Sequence, residues 1–265
     1  STQLPDNLKY DQDKKLGSCR DLTHLRIGPI FKLRLFFRKK IQGSSFYKMT
    51  LNRVRFKKKV LDGSVFDFAV LEKSRFEKTS LNKVSFEESS LQNANFNGAS
   101  GDRVSFTNGN LFGATLENVS FNRSSFIGVN GSDIQFNHSN LTGSLFQRAE
   151  LRNASFLHAN LKEANFSNAN LKFSKINNAN LENANLSNSD LTSGDFRGAI
   201  LKGSNLAGAI FHDVDLRDAD LTSSNTIDTK FRFATFNDNT KLPFSKEDAI
   251  NLYNMKYVTH GSSTR

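Results

Sequence analysis

Residues 159–173 read ANLKEANFSNANLKF, and this stretch decides the fold. A large apolar residue recurs at every fifth position, and a small residue lies two positions before each of them. The same phase runs from Ile41 to Phe236 without an inserted loop, and 37 of its 40 large positions hold Leu, Phe or Ile. The three exceptions are Gly101, Gly131 and Thr226.

A period of five matches neither the 3.6 residues of a helical turn nor the two-residue alternation of a strand. It requires a backbone that turns a corner every five residues, with one large and one small side chain directed inward on each side. The other three positions are rich in Asn, Ser, Asp, Glu, Lys and Gly. Because Asn and Gly tolerate tight corner conformations, the pattern predicts an all-β solenoid with a polar surface.

Residues 159–163, 164–168 and 169–173 each begin with Ala-Asn, followed by Leu or Phe and two variable residues. This motif resembles that of the pentapeptide repeat family, and the resemblance covers about residues 41–240. It implies a right-handed square β-helix with four repeats in each coil. Forty repeats then give about ten coils of 20 residues, in which residues 20 positions apart stack on one another.

Coils of this length predict two ladders of phenylalanine on facing walls of the core. A separation of about 4.8 Å between coils, the usual distance between strands, suits offset aromatic contact. Such a core is too narrow for a cofactor, so we expect none. The ladders consist of Phe46, Phe66, Phe86, Phe106, Phe126, Phe146 and Phe166, and of Phe56, Phe76, Phe96, Phe136 and Phe156.

The two ends of a solenoid expose β-edges that have to be capped. Apolar and basic residues alternate near the start of the chain, which is typical of a strand. We therefore expect an irregular N-terminal arm over residues 1–30, a capping strand over 31–40, the repeat β-helix over 41–240, and a C-terminal cap helix with a disordered tail over 241–265.

A short helix is expected near the C-terminus. Ser245 stands three residues before Asp248, which is a weak form of the capping box that begins a helix. The apolar residues that follow at helical spacing predict a contact with the cap or, in a homodimer, with a second copy of the chain. These candidate contact residues are Ile250, Leu252, Tyr253 and Tyr257.

The net charge of +10 is concentrated near the N-terminal end. Residues 31–60 contain eleven Lys or Arg and no Asp or Glu, whereas residues 61–240 contain sixteen basic and twenty acidic residues. This cluster indicates either protection of the strand edge or contact with an acidic protein, a membrane or nucleic acid. No exposed aromatic residue is expected among the charges, which counts against sequence-specific single-strand binding. The candidate contact residues are Lys39, Lys40, Arg53, Arg55, Lys57, Lys58 and Lys59.

Three weaker features are expected on the surface. His138 and His158 are 20 residues apart and should be neighbours on one corner, without a carboxylate that would complete a metal site. An acidic patch, which would attract a cation or a basic partner or simply face solvent, comprises Asp213, Asp215, Asp218 and Asp220. The outward apolar residues are Phe68, Phe112, Phe173, Ile200, Ile210 and Phe233. Of these, Phe233 is expected under the C-terminal helix, whereas Phe173, Ile200 and Ile210 would contact a partner or the folded-back arm.

No phosphate-binding glycine loop, zinc-ligand spacing or nucleophile elbow occurs in the sequence. We therefore expect no enzyme, no bound metal and no small-molecule substrate. The favoured function is a non-enzymatic binding or scaffold module that presents a rigid repeat surface to a protein partner. No apolar run approaches the roughly 20 residues of a membrane-spanning helix, and we expect the protein to be cytoplasmic.

The family resemblance implies two alternative functions. Some members are bacterial effectors secreted into host cells, or the repeat domains of effectors that also carry a ubiquitin-ligase domain. Others mimic DNA and protect DNA gyrase from inhibitors, a role that requires a strongly acidic surface. The basic N-terminal end of this chain disfavours DNA mimicry.

Overall fold

The computed structural model describes residues 41–259. The predicted arm over residues 1–30 and capping strand over 31–40 lie outside this range, as do residues 260–265. Within the described range, short elements punctuate a regular series of turns and isolated bridges. The elements are β1 (Ser100–Asp102), β2 (Ser120–Asn122), β3 (Thr235–Phe236), α1 (Lys246–Asn251) and β4 (Lys256–Tyr257).

Parallel backbone bridges join residues that are 20 positions apart. The first described bridge pairs Ser45 with Val65, and the same register continues to Asp215 and Thr235. The Phe126 N–H, for example, donates to the carbonyl oxygen of Leu145 at 2.6 Å. Each coil therefore holds four repeats, as the resemblance to the pentapeptide repeat family implies, whereas the total of about ten coils stays a prediction.

Each corner places its second residue in the left-handed region of backbone conformation. Asn168 has φ 60° and Asn183 has φ 57°. This conformation costs an ordinary residue about 1–2 kcal/mol and is easier for Asn and Gly, which explains their abundance at the corners. Lys73 at φ 56° and Phe173 at φ 60° accept the less favourable conformation.

The two predicted phenylalanine ladders are confirmed. Successive rings of a ladder stack with centroids 4.4 Å apart for Phe46 and Phe66 and 5.1 Å apart for Phe86 and Phe106. Rings of opposite ladders meet edge to face, as Phe126 and Phe136 do at 5.2 Å. The core thus has a continuous column of aromatic contacts, each worth roughly 0.5–1.5 kcal/mol beyond the burial of its area.

One irregularity in the ladders is compensated by its neighbours. Leu116 occupies a position at which the second ladder needs a phenylalanine, and Phe121 supplies a ring nearby, 5.9 Å from Phe106. In the β1–β2 pair, Gly101 lies directly opposite Phe121. The missing side chain of Gly101 and the smaller Leu116 offset the larger Phe121, so the interior stays filled.

The repeat ends with a corner that holds one extra residue. Asp220 pairs with Lys241, which is 21 rather than 20 positions away. The longer corner is closed locally, because the Asn237 N–H donates to the Thr240 hydroxyl at 3.1 Å. The chain then leaves the repeat register and crosses the end of the solenoid.

α1 begins after Ser245, whose hydroxyl accepts a hydrogen bond from the Asp248 N–H at 3.0 Å. The prediction of one helical stripe reaching Tyr257 is wrong, because α1 ends at Asn251 and Tyr257 lies in β4. β4 pairs in parallel with β3. Because a bare strand edge leaves backbone groups unpaired, the chain covers this edge with a strand rather than continuing the helix.

Candidate interaction surfaces

Basic side chains of the first two described coils form one surface, which we call the basic face. Two corners and the strand position between them supply its members, and residues 20 positions apart are stacked neighbours, as the bridge between Arg55 and Arg75 shows. Arg75 is half-buried and the others are exposed. The members are Arg53, Arg55, Lys57, Lys58, Lys73, Arg75 and Lys78.

The structure brings four of the seven predicted basic contact residues together in the basic face. Lys59 is half-buried at a position that the repeat reserves for small inward residues, so it lies outside the face. Lys39 and Lys40 lie outside the described residues. The charge pattern did not predict Lys73, Arg75 and Lys78, because they belong to the next coil, where nearby Asp and Glu residues balance their charge.

Most of the charge on the basic face is uncompensated. Arg75 donates from Nε to the Glu77 carboxylate at 2.7 Å, but the other members form no ion pair with any residue of the described range. On later coils several cations are paired, as Arg123 is with Asp102 at 2.7 Å and Lys172 with Asp190 at 2.9 Å. An anionic ligand would therefore relieve repulsion at this face.

An exposed aromatic pair borders the basic face. The rings of Tyr47 and Phe68 meet edge to face with centroids 5.6 Å apart. Lys48 Nζ lies 5.0 Å from the centroid of Tyr47 and 5.6 Å from that of Phe68. We call Tyr47, Lys48 and Phe68 the aromatic corner. The aromatic corner lies one repeat before the corner of Arg53 along the coil.

The expectation that no exposed aromatic residue lies among the basic charges is therefore wrong. Tyr47 is 37% exposed and Phe68 is 42% exposed. The two residues are 21 positions apart and occupy different positions of their repeats, so the rule that residues 20 positions apart are neighbours does not pair them. Only the stacking of adjacent coils brings their rings together.

A second exposed aromatic surface lies further along the rod. Phe112 and Phe173 belong to the same corner of the coil, three coils apart, which is about 14 Å at the usual strand spacing. The Arg152 guanidinium lies 5.3 Å from the ring centroid of Phe173. We call Phe112, Arg152 and Phe173 the central corner. Of the other predicted outward residues, Ile200 is exposed, whereas Ile210 and Phe233 are half-buried.

Comparison with known families identifies the repeat. A sequence model described as pentapeptide repeat region matches residues 99–176, and one described as pentapeptide repeats (8 copies) matches residues 79–118, 164–203 and 199–238. Together the matches span more than half of the chain. The chain belongs to the pentapeptide repeat family. Proteins of this family fold as right-handed β-helices.

Several solved pentapeptide repeat proteins are similar to this chain. HetL, involved in heterocyst differentiation regulation in the cyanobacterium Nostoc, is 21% identical, with 80% of this chain and 97% of HetL covered and a TM-score of 0.41. QnrB1, a plasmid-mediated fluoroquinolone resistance protein, is 17% identical over 77% of this chain and 98% of its own, with a TM-score of 0.39. A pentapeptide repeat protein of the Arabidopsis thaliana thylakoid lumen is 33% identical, with 44% of this chain and 70% of the Arabidopsis protein covered and a TM-score of 0.26. No curated protein sequence matches the chain.

The acidic patch of this pentapeptide repeat protein is largely neutralised within the chain. Arg217 donates from Nε to the Asp215 carboxylate at 2.9 Å, and Lys241 Nζ lies 3.1 Å from Asp220. Lys256 Nζ is 3.9 Å from Asp213. These pairs make the patch an internal ion-pair network rather than a free anionic surface.

Asp220 in the acidic patch and Asp195 near it have lowered pKa values. Burial opposes the ionisation of Asp195, but hydrogen bonds from Arg197 and Asn177 outweigh it and hold the pKa of Asp195 below the ordinary range. Burial likewise opposes the ionisation of Asp220, where hydrogen bonds from Thr222 and Lys241 lower the pKa. These carboxylates therefore stabilise the fold in the ionised form.

We expect the protein to lose stability as the pH falls through the acidic range. A lowered folded-state pKa stabilises the fold fully above the unfolded value of about 3.9, and this contribution disappears as the pH falls through the folded-state pKa. Urea midpoints measured between pH 6 and pH 2.5 test the expectation. Asp195→Asn should reduce the pH dependence, and an unchanged dependence in this variant would contradict the assignment.

His138 and His158 are stacked neighbours on one corner, as predicted, with ring centroids 5.1 Å apart and an interplanar angle of 7°. Within residues 41–259 there is no group of three or more His, Cys, Asp or Glu side chains that could hold a metal ion. In the same range, no helix is long and apolar enough to cross a membrane.

The predicted C-terminal contact residues divide into two groups. Tyr253 packs on Phe244, with centroids 4.5 Å apart, and the Tyr257 hydroxyl donates to Asp238 at 2.7 Å, so both tyrosines belong to the cap. Ile250 and Leu252 are instead exposed. These two residues are the ones available to a second copy of the chain, and the homodimer stays a prediction.

Proposed function

We propose that this pentapeptide repeat protein is a non-enzymatic binding module that presents a rigid surface to a protein partner. The observation that carries the proposal is the central corner, where Phe112 and Phe173 are exposed and Arg152 lies against Phe173. Aromatic residues and arginine are enriched where protein surfaces meet. The corner therefore has the composition of a protein contact.

The backbone of Phe173 supports this proposal. Its φ of 60° lies in the left-handed region, where a bulky residue is less stable than Asn or Gly by about 1 kcal/mol or more. One coil earlier, the same position holds Asn153 at φ 57°. The Phe173 ring is therefore kept exposed at a corner where Asn would be more stable, and a contact that uses the ring would offset this cost.

The rigidity of the rod favours such a role. The Phe173 N–H donates to the Thr192 carbonyl oxygen at 3.0 Å, and the Asn153 N–H donates to the Lys172 carbonyl oxygen at 3.0 Å. The corner is thus bonded to the coils on both sides before any partner arrives. Binding then requires little ordering of the surface, which increases the affinity obtained from a small contact area.

The arm over residues 1–30 belongs to the same chain and would compete with a protein partner for the central corner. A photo-activated crosslinking residue at position 173 distinguishes a separate protein partner from the arm of the same chain. The experiment is done in the organism that produces the protein. We expect a crosslink to another protein, whereas the same residue at position 188, on a different corner, should give none. A crosslink from position 173 to the arm of the same chain would contradict the proposal.

The captured protein then has to bind the purified rod directly. We expect Phe112→Ser combined with Phe173→Ser to weaken the complex at least tenfold, because interface aromatic residues carry much of the binding free energy. Ile200→Ser, which removes an equally exposed apolar residue from a different side of the coil, is the matched control. Equal losses in both variants would indicate a nonspecific effect and reject the central corner as the contact.

The secreted effector, the gyrase-protecting DNA mimic and the cytoplasmic location stay predictions. The uncompensated basic face differs from the continuous acidic surface that DNA mimicry requires, so this alternative is the least favoured. The effector alternative would leave the contact at the central corner unchanged and would place the partner in the host cell.

A further inference from the structure

We propose that the basic face and the aromatic corner together bind single-stranded nucleic acid, a ligand distinct from the protein partner of the central corner. Proteins that bind single strands without sequence preference combine a cationic path for the phosphates with aromatic rings on which bases stack. Both parts are present on adjacent corners of the first two described coils.

The cationic path has a regular geometry. Arg53 and Lys73 are stacked neighbours on one corner, and Lys58 and Lys78 are stacked neighbours on the next. Arg55 lies on the strand position between the two corners. A strand of phosphates that crosses this face meets cations on either side, and each neutralised phosphate releases counterions.

The acidic residues of these coils leave most of the path open. Glu77 is buried and accepts from Arg75. Asp62 accepts from the Ser80 hydroxyl at 2.7 Å, and Asp67 accepts from the Glu87 N–H at 3.0 Å, so both are bonded to the next coil. Glu72 is exposed on the corner of Lys73 and is the acid that faces the path.

The aromatic corner supplies the platform for a base. Tyr47 and Phe68 contact each other through an edge, so part of each ring remains open to solvent. Lys48 lies against both rings and is placed to contact the phosphate of a stacked nucleotide. Phe68 and Lys48 hold left-handed backbone conformations, with φ 58° and 54°, although Asn would fit more easily.

The aromatic corner favours a single strand over other polyanions. A duplex buries the faces of its bases, and an acidic polypeptide has no base to stack, so neither would use the Tyr47 and Phe68 rings. Both would use the cations alone. The contribution of the rings therefore separates the proposed ligand from an acidic protein or a duplex.

Fluorescence anisotropy of the whole chain tests the proposal, with four labelled probes: a 12-nucleotide single-stranded DNA, the matching RNA, the DNA duplex and polyglutamate. We expect both single strands to bind more tightly than the duplex and polyglutamate. Lys57→Glu with Lys58→Glu should weaken single-strand binding at least tenfold and reduce its salt dependence. Lys175→Glu with Lys202→Glu changes the net charge equally on later coils and should have a much smaller effect.

The deciding variant is Tyr47→Ser with Phe68→Asn, in which Asn suits the left-handed backbone and both changes are on the surface, so the fold is retained. Loss of a stacked base should weaken single-strand binding about fivefold or more and leave polyglutamate binding unchanged. An unchanged single-strand affinity, tighter binding of duplex or polyglutamate, or equal weakening by the control charge pair would overturn the proposal. None of these outcomes bears on the protein contact, because Phe112 and Phe173 are intact in every variant.

Discussion

Phe126→Ala is expected to lower the free energy of unfolding by about 3–5 kcal/mol, the range for removing a fully buried phenylalanine. The Phe126 ring is stacked between Phe106, at 4.9 Å, and Phe146, at 4.8 Å, and meets the edge of Phe136 at 5.2 Å. The substitution therefore removes contacts with both ladders and leaves a cavity between two coils. Rigid coils above and below limit the collapse that would fill it.

Urea unfolding followed by circular dichroism measures this loss, and amide hydrogen exchange locates it. Phe112→Ala is the control, because the Phe112 ring is exposed at a corner, and we expect it to change the unfolding free energy by less than about 0.5 kcal/mol. Similar losses in the two variants would show that the ladders do not stabilise the core.

Gly101→Ala is expected to destabilise the fold by about 1–3 kcal/mol, the range for overpacking a filled core. The repeat favours a large apolar residue at this position, so the sequence pattern alone predicts the opposite. A Cβ on Gly101 would lie 2.7 Å from Val104 Cγ2 and 2.9 Å from the carbonyl carbon and oxygen of Leu81. Because two of these atoms are backbone, the preceding coil would have to shift.

Gly131→Ala provides the matched control at the other glycine in the same repeat position. There the nearest atom is Leu151 Cδ2, at 3.0 Å, which is the end of a flexible side chain that can move. The loss should be smaller, and reduced freedom of the unfolded chain offsets part of it. Thermal unfolding of the two variants tests the contrast, which fails if Gly131→Ala is the more damaging change.

The coil and its core follow from the sequence because every repeat makes the same local choice. In the repeat, a large residue such as Leu161 and a small residue such as Ala159 point inward, and a corner residue such as Glu163 points outward. Because these positions recur at a fixed spacing, one rule assigns the direction of each side chain along the rod. The ladders follow as well, since only the distance of 20 residues between coils is needed to pair Phe46 with Phe66. The basic cluster that includes Arg53 and Lys57 was likewise visible from charge alone.

The five-residue repetition by itself determined the solenoid and which side chains line its interior, and the family resemblance of the repeat implied the 20-residue coil that stacks the phenylalanines. Only the tertiary structure decided the local exceptions: Phe121 fills the space that Leu116 leaves, Tyr47 meets Phe68, and Tyr257 joins a strand. Each of these depends on packing between coils at an offset other than 20, or on satisfying the exposed backbone at the end of the solenoid. The five-residue rule does not specify such contacts, because they join residues of different columns or cover the end of the solenoid.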